Sequence, residues 1–158
     1  MYRKVTDFTA EWSRAAEGTT KVLESLTDET LDQAIVEGHS TLGWLGWHLA
    51  TSPIFFASMA GINIESSADT NTVPKDASTI LHTYKNVVEQ IQNQAEVALT
   101  DEKLLETVDS FGTATPRGAI LRTLIDHQTH HRGQMTVLLR QAGLPVPGIM
   151  GPTKEQSN

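Results

Sequence analysis

Between Arg3 and Leu26 the apolar residues Val5, Phe8, Trp12, Ala15, Ala16, Val22, Leu23 and Leu26 recur at steps of three and four. That spacing marks one face of an amphipathic helix. "TDETLDQAIVEGHS" follows as a polar connector, with short helical turns around Glu29 to Ala34. Ser40 is placed to cap a second helix, Thr41 to about Ala60, that closes at Gly61. Inside it Pro53 withholds its N–H from the carbonyl of Leu49, so a kink is expected near that turn. "GINIESSADTNTVPKD" has no periodicity and reads as a long loop.

A third helix is expected from about Ser78 to Leu99, with Ile80, Leu81, Tyr84, Val87, Val88, Ile91, Ala95 and Ala98 inward. "TDEKLLETVDSFGTA" reads as a linker. Thr115 and Pro116 form an N-cap and first-turn pair, and Gly143 with Pro145 forms a stop, so a fourth helix spans about Pro116 to Ala142. Four long amphipathic segments without a convincing strand predict an all-α, four-helix bundle. The chain of 158 residues is expected to form a single domain, 1–158. Its tail, 143–158, opens with residues that can pack back and ends in polar ones expected to be loose.

The fourth helix carries an oddity on its apolar face. With His131 at zero, Leu124 and Met135 lie about 20° and 40° to one side and Leu138 about 20° to the other. His127 lies about 40° away, within the same stripe, whereas His130 falls at the flank, about 100° away. On the second helix Trp44, Leu45, Ser52, Phe55 and Met59 lie within about 60° of His48, so that ring should also turn inward. His39 and His82 lie off any such stripe and read as surface or capping residues.

Unpaired imidazoles in a core cost about 1–3 kcal/mol each, so something must satisfy them. A divalent metal would: neutral imidazole is a standard nitrogen ligand, and the i, i+4 spacing of His127 and His131 puts both rings on one side of a helix. His48 is the best-placed third ligand. Three histidines leave coordination positions open, the pattern of a catalytic rather than a closed structural site. A cluster of hydrogen-bonded core histidines without metal is the plainer alternative.

Composition narrows the chemistry further. The chain has no cysteine, which excludes disulfides, thiolate ligands and a cysteine nucleophile, and fits a reducing cytoplasm. A net charge of −7 with scattered basic residues argues against a nucleic-acid partner. The sequence shows neither a signal-peptide run nor a stretch suited to a membrane span, so no membrane role is expected. "HQTHH" has the histidine spacing of zinc peptidases, but Gln128 stands where that chemistry needs a glutamate base. Carboxylate-bridged di-iron bundles need Glu-x-x-His pairs on two helices, and the chain has none.

The run "DHQTHHRGQMTVLLRQAG" with its proline-rich tail, together with "LGWLGWHLA" on the second helix, resembles the DinB-like superfamily of DinB and YfiT-type four-helix bundles. These are unrelated to the DNA polymerase of that name. The resemblance implies an up-down-down-up bundle with a divalent ion, nickel or zinc, held by His48, His127 and His131, and a homodimer. It also implies a metal-dependent transferase that joins a low-molecular-weight thiol to an electrophilic small molecule, or a related hydrolase. A non-catalytic metal-binding bundle of the stress response is the competing reading.

Other residues near the histidines carry weaker readings. Gln134, about 60° from His131, is suited to orient a ligand by a hydrogen bond. His130 could face the pocket rim or a subunit interface. Arg132 reads first as an exposed helix arginine in surface ion pairs, and second as a contact for an anionic ligand. Gly133 permits a close helix approach or is merely tolerated. Trp44, Trp47 and Phe55 could wall a pocket, with two of the three expected in the core.

Overall fold

The computed structural model describes residues 1–156. Its long elements are α1 (Val5–Leu23), α2 (Leu42–Ala60), α3 (Ala77–Ala98), a hairpin of β1 (Thr107–Ser110) and β2 (Thr113–Pro116), and α4 (Arg117–Gln141). Short 3-10 turns flank them at Asp28–Thr30, Lys103–Leu105 and Lys154–Gln156. Among the described residues no helix is long and apolar enough to cross a membrane.

Contacts at the helix ends fix their directions. The Tyr2 amide donates to the Gly118 carbonyl at 3.0 Å and the Val5 amide to Asp101 Oδ1 at 3.0 Å, so α1 starts beside the start of α4 and the end of α3. Gly46 lies against Leu23, Leu26 and Ile80, which sets the start of α2 beside the end of α1 and the start of α3. Gly61, just past α2, abuts Arg117 at the start of α4. α1 and α4 therefore run one way and α2 and α3 the other, the up-down-down-up arrangement. Each of α1 and α2 packs chiefly on both α3 and α4.

Two caps differ from the sequence reading by one position. Thr41, not Ser40, caps α2 by accepting a bond from the Trp44 amide at 3.1 Å. α4 begins at Arg117 with Pro116 as its flanking residue, and the Thr115 hydroxyl turns back to the Thr113 carbonyl instead of capping. The reason is the hairpin, which the sequence reading treats as linker. Thr115 and Pro116 belong to β2, paired with Val108 and Thr107.

The hairpin's turn is Phe111–Gly112, with φ of 51° and 81°. Two consecutive positive values suit the tight turns that match strand twist, and glycine is at ease there. Phenylalanine is not, so the turn holds Phe111 at a steric cost.

The core is built on Phe8, Trp12, Leu23, Leu42, Leu49, Tyr84, Leu121 and Leu124, all essentially sealed from solvent. Gln128 lies among them, fully buried. Its Oε1 accepts from the Thr19 hydroxyl on α1 and the Tyr84 hydroxyl on α3, each at 3.1 Å, while Nε2 donates to the Leu49 carbonyl on α2 at 3.2 Å. One side chain thus joins all four helices. It also supplies the carbonyl that Pro53 leaves without its helical donor, which meets the need of a buried backbone oxygen.

The tail packs back as its first residues suggest, with Val146 buried and Leu144 and Ile149 against the core. Arg140 pairs with Glu155 at 2.7 Å. The looseness expected of the last residues concerns in part Ser157 and Asn158, which lie outside the described residues.

Candidate metal centre

His48 projects from the first half of α2, and His127 and His131 project one turn apart from the middle of α4. Because these helices pack directly on each other, the three rings meet in the seam between them. One potential ligand nitrogen from each lies within 4.8 Å of the others, so the three histidines are positioned to hold a metal ion. All three are half-buried rather than sealed in the core.

A hydrogen bond decides which nitrogen His131 offers. His131 Nδ1 lies 2.7 Å from Gln134 Oε1. An amide oxygen only accepts, so Nδ1 carries the proton and Nε2 keeps a bare lone pair. Ser52 Oγ approaches His127 Nδ1 at 3.5 Å, and His127 Nε2 faces His48 Nε2 at 3.0 Å. Two imidazole lone pairs so placed repel unless a proton or a cation lies between them. The donor set therefore fits a divalent ion with borderline-soft character, such as zinc or nickel.

Electrostatics keep the rings in their ligating form. Burial, then the nearby His131, His48 and His130, holds the pKa of His127 down to about 4. Burial and His131 lower that of His48. His131 is lowered by burial and His130, against the opposing effect of its bond to Gln134. At neutral pH the cluster is therefore three neutral imidazoles, the state a metal requires.

The surrounding residues divide into those that touch the rings and those that turn away. Trp44 stacks on His48 with centroids 4.9 Å apart, and His130, exposed, lies 4.8 Å from His131. Phe56 meets His127 at 5.2 Å. Sequence reasoning missed Phe56 and gave Ser52 no role, although both lie on the helical repeat of His48, four and eight residues on. His39 and His82 are exposed.

Arg132 is a correction: it is not a surface residue but 6% exposed, turned between α4 and α1. The tail and α1 cover a flank of α4 that helical angles alone leave open. Of Trp44, Trp47 and Phe55 only Trp47 is in the core, where its Nε1 donates to the Asp69 carbonyl at 3.1 Å. Trp44 and Phe55 are 42% and 48% exposed, because their stripe follows the open seam with α4. Gly133 has open space where a side chain would stand, so no close helix approach depends on it. Gln128, at the position of the peptidase base, points into the core network and away from the rings.

The family model for the DinB family matches residues 1–158. An uncharacterized protein, YrdA, of Bacillus subtilis (strain 168) is 39% identical over 156 residues, covering 99% of this chain and 93% of its own. The crystal structure of a DinB-like protein from Bacillus cereus ATCC 10987 superposes with a TM-score of 0.85 at 43% identity, covering 94% of this chain and 99% of that one. That of a DinB-like protein, YjoA, from Bacillus subtilis gives 0.70 at 19% identity over 92% and 99%, a likeness that bears on the fold alone.

Proposed function

The chain belongs to the DinB family, and on that premise we propose that it is a metal-dependent enzyme joining a low-molecular-weight thiol, or water, to an electrophilic small molecule. The observation that carries the reading is the convergence of His48, His127 and His131 at one point of a half-open seam. In this reading the three Nε2 atoms bind nickel or zinc. When bound, such an ion supplies Lewis acidity that lowers the pKa of a thiol or water into the neutral range. Gln134 holds His131 in the ligating tautomer, Ser52 lies beside His127 Nδ1, and Trp44 and Phe56 shield two of the rings from bulk water. The incoming thiol or water loses its proton to solvent and bonds to the electrophilic carbon as the leaving group departs.

The non-catalytic reading also has an observation in its favour. Trp44, Ser52, Phe56, His130 and Gln134, the neighbours of the rings, include no carboxylate to shuttle a proton. Zinc- and nickel-loaded protein, assayed with a panel of bacterial thiols and electrophiles, separates the two. Turnover that vanishes in His131→Ala is expected; fully metallated protein inert across the panel would leave only the binding role.

A further inference from the structure

Arg132 follows a candidate ligand in sequence yet serves the opposite side of α4. Its Nη1 donates to the Ala15 carbonyl at 2.9 Å and to Thr19 Oγ1 at 3.3 Å, both neutral acceptors on α1. No Asp or Glu oxygen among the described residues lies within ion-pairing distance of it. Its remaining donors, on Nε and Nη2, donate to none of the described residues, and neither is sealed from solvent. A guanidinium this deep without a counter-charge is costly to desolvate. A strut between α1 and α4 would need no charge.

The group sits where a ligand could reach it. Gly18 on α1 leaves no room for a side chain: a Cβ there would stand 2.7 Å from Ile149 Cγ2 of the tail and 3.3 Å from Arg132 Nη1, so the tail closes on the guanidinium from the α1 side. Ile149 and Arg132 both line a cavity of about 350 Å³ between α4 and the tail. Thr129, Gly133, Thr136 and Arg140 complete its α4 wall, and no acidic residue lines it. Arg140 stands beside the tail, paired with an exposed Glu155. In a chain of net charge −7 this is a cationic recess.

We propose that this recess is a second binding site, separate from the histidine seam, for the oxyanion group of a small molecule, a phosphate or a carboxylate. Arg132 supplies the charge it is built around, through the Nε and Nη2 edge that the protein leaves unbonded, while Arg140, whose Nε and Nη2 are held by Glu155, stands on the wall as a neutralised neighbour.

Titration of the zinc-loaded full chain with inorganic phosphate and, separately, acetate tests this at fixed ionic strength, with chloride as control and amide NMR shifts as readout. Saturable shifts at Thr136 and Ile149 are expected with at least one anion, and which anion acts identifies the class. Arg132→Met should weaken that binding about tenfold or more, with Arg140→Gln weakening it less. Shifts centred on His48 and His131, or shifts that chloride reproduces, would overturn the proposal. So would unchanged affinity in a folded Arg132→Met. Should that variant not fold, Arg132→Lys, which keeps the charge but loses the fork, must still weaken binding, and unchanged affinity there counts equally against the site.

Discussion

Gln134 shows how one exposed side chain acts through another. Its carbonyl oxygen fixes the His131 proton on Nδ1, and little else in the fold depends on it. Gln134→Leu should lower zinc affinity about 10- to 100-fold in a chelator competition while leaving the metal-free melting temperature nearly unchanged. Equal affinity in the two proteins would mean that the bond does not set the tautomer. At this scale the sequence was informative about the rings and poor about Arg132. The i, i+4 spacing and the apolar faces single out the three histidines that the fold brings together, since helical angles are local. Arg132 lies about 100° from His131, and its burial depends on α1 and the tail, which no angle along α4 can report.

Among the elements, α4 carries two glycines with opposite constraints. A Cβ at Gly118 would stand 2.1 Å from the Tyr2 carbonyl oxygen, whereas one at Gly133 meets nothing. Gly118→Ala should therefore cost several kcal/mol by forcing the N-terminal segment off α4, while Gly133→Ala should add about 1 kcal/mol through helix propensity. Urea unfolding of both variants checks the pair, and a stabilised Gly118→Ala would contradict the close approach. The four helices were legible because each buries a periodic apolar face. The hairpin was not: "TVDS" and "TATP" are short and largely polar, and Phe111 is an unfavourable residue for the turn it occupies. Its presence in turn moved the start of α4.

For the molecule as a whole, the tie among helices runs through Gln128. Gln128→Leu strands the Tyr84 hydroxyl and the Leu49 carbonyl and leaves the Thr19 hydroxyl only its bond from Arg132, and should cost about 3 kcal/mol in urea unfolding. In a Pro53→Ala background α2 can again donate to Leu49, so the same substitution should cost less. Equal costs in the two backgrounds would refute the link between Pro53 and Gln128. The up-down-down-up order comes in the sequence reading from family resemblance alone, because periodicity says which face is buried but not which neighbour covers it. The homodimer that the same resemblance implies is likewise proposed. Sedimentation of the pure protein as a dimer is its expected outcome, and a monomer at all concentrations would remove it.

The claim that three imidazoles from α2 and α4 grip one ion is tested most directly by X-ray absorption on zinc-loaded protein carrying no affinity tag. Three imidazole ligands at about 2.0–2.1 Å are expected, with lighter donors completing the shell. In His131→Ala one imidazole should disappear and the metal content should fall. A spectrum with fewer than two imidazoles, or one that His131→Ala leaves unchanged, would contradict the assignment.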